Sequence, residues 1–453
     1  MPAEFGLGTA TFVVVASMVG VGIMTTSGYT VSSVGSNQLM LWLWVIGGVA
    51  ALCGALTLAE LAAALPRAGG EYAILYEAYG PLAGFLWGWV TLIMGFAAPI
   101  AAAALTSASY LLTPLALPTS SAWLAEQGLA TLTVLIFAAI HSSGQSRTVA
   151  VQGGITLLKL GLIVAFTIAG LAVGWRHGAN LADRPPITWP VVGSMMSSLV
   201  FISYAYFGWN AAAYLAGEIK DPARRLPQAL LLGTGGVMLL YLAVNVVYAL
   251  ALPAADIRAI DQAHPNTNAV APIAELAAKR LFGPGVANFV SLATGLMLLS
   301  SLSAYVLAAP RVAYAMAVSG QFPAFAGRVS KRFRTPVVAT GCVVLISLAM
   351  LWTGTFKKIV TYASVGMALF SLLTIGAIYV LRWRSPDLPR PFRTPGYPVV
   401  PAIYLLIAGL LIGSAFYEKS QRQAATYAVA SILVGVPVFY VWNYFKRPAP
   451  QGA

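Results

Sequence analysis

Apolar runs of spanning length, separated by short polar connections, recur from one end of this 453-residue chain to the other. Runs of about 20 predominantly apolar residues can cross the hydrocarbon core of a bilayer as helices. The pattern predicts helices near 7–30, 38–64, 82–112, 127–143, 150–175, 190–216, 229–252, 284–317, 336–353, 358–382, 398–416 and 425–444. Two of these twelve are irregular at mid-depth. The first holds Gly20 and Gly22 around Val21 in "SMVGVGIM" (17–24), and the sixth holds Gly208 within "YAYFGWN" (204–210). Glycine in a helix interior costs roughly 1 kcal/mol against alanine. Such glycines either let helices pack closely or mark a break.

Interruptions five helices apart predict two five-helix units. Five is odd, so the second unit enters the membrane from the opposite side, giving an inverted repeat. Paired interrupted helices at matching positions in such a repeat point to a transporter's binding site. The expected fold is all-α and polytopic, with twelve transmembrane helices. Residues 1–382 form the 5+5 core, and 383–453 form two accessory helices and a tail within one structural domain.

Composition supports the membrane class. Only 9% of residues are charged, 59% are hydrophobic and the mean hydropathy is +0.81, whereas soluble chains carry about 25% charged residues. The net charge of +13 is a matter of topology. With these helices, sixteen of the 26 Lys and Arg fall on one set of loops and the C-terminal tail, nine on the opposite set, and Lys159 inside a helix. The positive-inside rule then places both termini in the cytoplasm, and no nucleic-acid partner is expected. The start, "MPAEFG", lacks a basic n-region, so the first run is expected to stay as a helix. Cys53 and Cys342 lie in apolar runs and supply no disulfide framework. His141, His177 and His264 are scattered without metal-ligand spacing. Neither a phosphate loop nor a Ser-His-Asp order is present. No enzyme, metal or cofactor is expected.

An unwound turn frees backbone N–H and C=O groups, which are tolerated at membrane depth only inside protein or beside a wet cavity. Amides at the start of a half-helix hold a carboxylate, and freed carbonyls hold an ammonium. The two breaks together suit the zwitterionic head of an amino acid, and Gly20 and Gly22 let it approach the backbone. Tyr204, Tyr206, Phe207 and Trp209 either wall the pocket or pack the core. Asn210 either donates to the ligand or ties down the unwound chain. Lys159 lies about two turns into the fifth helix, where a charge costs about 2.5–3.5 kcal/mol near the bilayer centre. It either snorkels to the interface or bridges the first helix to Ser300, Ser301 and Ser303 of the eighth. As a bridge it carries a transported proton or stands in for a bound metal ion. Glu60 and Glu218, near helix ends, are candidates for a charge-paired cytoplasmic gate or for simple interfacial solvation.

Five stretches in order carry a family resemblance: "VGVGIM" (19–24), "LAELAAALPRAGGEYAILYEAYG" (58–80), "YAYFGWN" (204–210), "GEIKDPARRLPQAL" (217–230) and "RSPDLPRPFRTPGYP" (384–398). With these the chain resembles the amino acid–polyamine–organocation superfamily, which has the leucine-transporter fold, and within it the L-type amino acid transporter branch, bacterial type. The resemblance implies that the substrate carboxylate meets amides near Val21 and Gly22, with Ser17 and Met18 nearby. Its ammonium meets carbonyls around Met18, Tyr204 and Phe207, with Ala205 in the same stretch. Tyr204 matches an aromatic gate, Asn210 the polar residue after the tryptophan, and Lys159 a lysine that takes the place of sodium in sodium-independent members. Val21 departs from the small, often hydroxylated residue usual there. Phe207 replaces the glycine of large-substrate members and implies a smaller pocket. The segment "TPLALPTSSAWLAEQ" (113–127) has no cysteine, so no disulfide-linked heavy chain is expected. The implied activity is sodium-independent secondary transport of small neutral L-amino acids across the inner membrane, by exchange or proton symport. The alternatives are a cationic amino acid or polyamine antiporter and a non-transporting amino acid sensor.

Overall fold

Helices carry almost the whole chain in the computed structural model, which describes residues 5–65, 70–142, 148–176, 181, 183, 187–263, 270, 272–318, 327–330 and 335–445. His177 and His264 lie outside these residues. In chain order the helices are α1 (Leu7–Met18), α2 (Val21–Val34), α3 (Asn37–Ala64), α4 (Glu71–Tyr79), α5 (Pro81–Val90), α6 (Ala98–Leu112), α7 (Thr119–Ser142), α8 (Thr148–Gly174) and α9 (Trp189–Tyr206). There follow α10 (Pro222–Ala251), α11 (Ala254–Ala263), α12 (Ile273–Phe282), α13 (Pro284–Val318), α14 (Val337–Thr353), α15 (Phe356–Arg384), α16 (Val399–Tyr417) and α17 (Lys419–Phe445). A π-helical turn, Thr91–Ala97, joins α5 to α6 in one long apolar rod.

Among the described residues, nine helices are long and apolar enough to cross a membrane, and α1 with α2 passes the same test as a pair bent by 44°. The other two predicted spans fall short as single helices. Helix α14 has 17 residues, and α9 stops after 18. The stop in α9 is local: Phe207 leaves helical geometry (φ −57°, ψ 148°), Gly208 follows at φ +105°, and the chain resumes as a 3-10 helix over Ala211–Glu218. The first predicted helix, 7–30, is two helices meeting at Val19 and Gly20.

The two halves of the first span have different surroundings. Helix α2 is buried from Val21 to Ser32, whereas α1 exposes Gly8, Thr9 and Ser17. Polar groups at the far end of α2 are satisfied by neighbouring helices, as buried polar atoms require. Ser27 donates to Asn245 Oδ1 (2.6 Å), Tyr110 to the Met24 carbonyl (2.7 Å) and Ser32 to Asp261 (2.7 Å), which also binds Lys357 (3.0 Å). At the opposite end, beside the N-terminus, Phe5 exchanges backbone hydrogen bonds with Glu218 and Lys220 (3.0 Å each). Side-chain bonds thus tie down one end of the first span, and the chain's own start the other.

Candidate functional site

The two breaks meet. A Cβ added at Gly22 would lie 2.3 Å from the Ala205 Cα, and one added at Gly208 would lie 2.7 Å from the Ser17 carbonyl oxygen. Each glycine therefore admits the backbone of the other span at a distance no side chain allows. Helix α2 starts at this contact, and the amides of its first turn have no intrahelical acceptor. The positive end of its dipole lies there too. The Met18, Val19 and Ala205 carbonyls at the ends of α1 and α9 are close by, and they find partners that are not backbone.

Tyr241 of α10 is the first such partner. Its hydroxyl lies 2.7 Å from the Met18 carbonyl and 3.1 Å from the Ala205 carbonyl, so one proton is shared between the ends of both broken helices. Lys159 of α8 is the second, its Nζ donating to the Val19 carbonyl at 2.5 Å. The ammonium thus rests on the negative end of α1, where a cation is favoured. Its side chain is buried rather than extended to an interface. The Ser301 hydroxyl faces Gly20, 3.6 Å from where its Cβ would be, and Ser300 is buried one residue earlier. Ser303 turns the other way and bonds His141 of α7 (2.9 Å).

The aromatic residues of the second break divide. Tyr206 donates to the Trp44 carbonyl (3.0 Å) and packs on Tyr241, and Trp209 packs edge-on against Tyr404 and beside Gly54. Both are buried among α3, α10 and α16. Tyr204 and Phe207 are half-buried. A cavity of about 50 Å³ borders the break, lined in part by Ser203, Phe207, Tyr206 and Trp209.

The Asn210 amide donates to the Glu71 carboxylate (2.6 Å), to which the Tyr214 hydroxyl also donates (2.9 Å), so the residue after the break is anchored to α4. Glu60 and Glu218 are not brought together as side chains. Glu60 is held by Arg382 (2.7 Å), Arg390 (3.6 Å) and the Thr394 amide (2.6 Å), which fix α3 to the end of α15 and the loop beyond it. Glu218 contributes its backbone carbonyl to Phe5. Sequence reasoning missed Tyr241 and Glu71. Tyr241 sits in an unremarkable apolar run, so nothing local marked it. Glu71 stood in a quoted motif beside two glycines, and a carboxyl opening a short helix was a usable signal.

These features define a polytopic helical membrane protein organised around two interrupted spans whose free backbone ends converge. The chain belongs to the amino acid permease family, whose profile matches residues 5–439, and its general activity is amino acid transport. It is 29% identical over 453 residues to "Large neutral amino acids transporter small subunit 2" of Mus musculus, covering 98% of this chain and 82% of that protein. It is 27% identical over 461 residues to "Asc-type amino acid transporter 1" of Mus musculus, covering 99% and 82%. It is 27% identical over 443 residues to "Serine/threonine exchanger SteT" of Bacillus subtilis (strain 168), covering 96% of both chains.

Proposed function

We propose that this chain is a sodium-independent secondary transporter that carries small neutral L-amino acids by alternating access, as an exchanger or a proton-coupled symporter. The carrying observation is the meeting of the two breaks, with Gly22 against Ala205 and Gly208 against Ser17. It leaves the first amides of α2, and the second lone pairs of the carbonyls that end α1 and α9, as ligands for opposite charges on adjacent atoms. The carboxylate binds at Val21 and Gly22, and the ammonium at carbonyls of Met18, Tyr204 and Phe207. Gly20, facing Ser301, keeps the approach open. Phe207 narrows the side-chain end of the pocket. Lys159 on the Val19 carbonyl supplies a fixed positive charge beside the break, which supports independence from sodium. Tyr241 positions both helix ends.

In this reading the twelve helices form a 5+5 inverted repeat plus two accessory helices in an inner membrane, with both termini cytoplasmic. No disulfide-linked heavy chain is required, and Cys53 is buried in α3. The relatives' names, one for large neutral amino acids and one for serine and threonine, support a neutral amino acid as substrate, and the preference for a small one rests on Phe207.

Uptake of labelled alanine into proteoliposomes, competed by each standard amino acid with and without sodium, tests this. Serine and threonine should compete, tryptophan should not, and sodium should make no difference. Tryptophan competing as well as alanine would remove the small-pocket assignment. Equal alanine efflux with and without external alanine would eliminate exchange. Lys159→Ala should lower uptake at least about tenfold, the equivalent of roughly 1.4 kcal/mol, and unchanged uptake would discard the role given to the lysine.

A further inference from the structure

Two buried carboxyls flank the connection between α3 and α5, and they are treated in opposite ways. Glu60 has two arginines. Glu71, which opens α4 outside the spans, is fully buried, and among the described residues no lysine or arginine faces it. Its Oε2 accepts from Asn210 and Tyr214, the first turn after the break in the sixth span. Its Oε1 has no hydrogen-bond partner among the described residues, and neither does the Thr374 hydroxyl of α15 that lies beside the carboxyl. The titratable groups around it are Tyr214 from the 3-10 helix and Tyr404 from α16, both neutral phenols near pH 7. A buried anion without a cation is costly, and an unsatisfied buried oxygen adds to that cost. A proton on Oε1 answers both, because it neutralises the charge and provides a donor toward Thr374.

We propose that Glu71 is a proton-binding site whose occupancy clamps α4 onto the inner half of the sixth span, making release of that half-span sensitive to pH. The clamp joins a short helix that is not one of the spans to Asn210, the residue that directly follows the break in the sixth span. This rests on the transport reading only for its consequence, since the clamp itself is a local equilibrium. Burial pushes the carboxyl up to about 7, against the hydrogen bonds from Asn210 and Tyr214 that pull it down. In the released state, water returns it toward the usual 4.5. The clamped state therefore holds a proton that the released state has lost between those values. Clamping is strongest below about 4.5, weakens as pH rises through the window and levels off above about 7.

Hydrogen exchange of the α4 amides in the full-length protein, corrected for intrinsic pH dependence, reads the clamp without any transport. Wild type should lose protection with rising pH by up to about tenfold per pH unit inside the window. Glu71→Gln, an uncharged mimic of the protonated acid, should stay protected at every pH. Tyr214→Phe removes a donor to the carboxylate and should move the midpoint to higher pH. A wild-type profile without a step, a step that survives in Glu71→Gln, or an unmoved midpoint in Tyr214→Phe would each overturn the proposal. The same samples assayed for uptake separate the two ideas. A step without uptake preserves the clamp and removes the transporter reading, and uptake without a step does the reverse.

Discussion

In the first span the chain crosses its break in extended conformation, with Val19 at φ −74° and Gly20 at φ −161°, and re-enters an α-helix of 14 residues. In the sixth it turns at Gly208 through φ +105° and continues as an eight-residue 3-10 helix. The difference assigns different tasks. An α-helix start carries a row of free amides and a coherent dipole, so under the proposed function the anion-binding end is that of α2. The sixth span contributes carbonyls, a half-buried aromatic wall and, through Asn210, a link to α4. Only the sixth break depends on a left-handed backbone. The first depends on Gly22 having no side chain where Ala205 packs against it.

That asymmetry ranks the expected effects of four substitutions. Gly208→Ala combines a disfavoured φ, a strain of about 1–3 kcal/mol, with overlap of the Ser17 carbonyl. It should abolish alanine uptake and give the largest drop in melting temperature of the purified protein. Gly22→Ala has the overlap without the φ, about 1–3 kcal/mol where neighbours cannot yield. The obstructing atom is the Ala205 Cα, so uptake should fall at least about tenfold, again roughly 1.4 kcal/mol. Melting as high as wild type would show that the breaks are not in contact. Tyr241→Phe deletes one shared hydroxyl, at about 0.5–1.5 kcal/mol. Because both helix ends lose a partner, its KM for alanine should rise, and an unchanged KM would remove Tyr241 from the site's support. Gly20→Ala should be the mildest for stability, within about 0.5 kcal/mol, since its Cβ meets only Ser301 Oγ at ordinary contact distance. Its uptake should nevertheless drop, because that methyl faces the approach to the break. Full activity would move the ligand elsewhere.

Much of this site was legible in the chain. Gly20, Gly22 and Gly208 stood out because a spanning helix has few reasons to hold them, and Lys159 because charge is expensive in lipid. What each group touches was not legible. Lys159 was open to snorkelling or to bridging the first helix to the serines of the eighth; its Nζ donates to the Val19 carbonyl of the first span, and Ser301 faces Gly20. Tyr206 and Trp209 were open to pocket or packing roles, and the neighbours that bury them lie on α3, α10 and α16. Asn210 pairs with a residue 139 positions away, which no local pattern specifies.

Membrane embedding and the positions of both interruptions were fixed by the chain alone. Both follow from local quantities: the apolar length of each run, the shortage of charge, and glycine's low helix propensity. The fold decided which freed carbonyl receives a tyrosine, which a lysine, and which of the two carboxyls Glu60 and Glu71 faces no lysine or arginine among the described residues. Those outcomes depend on helices far apart in the chain arriving within hydrogen-bond distance, and in a low-dielectric interior that proximity determines the cost of every polar group.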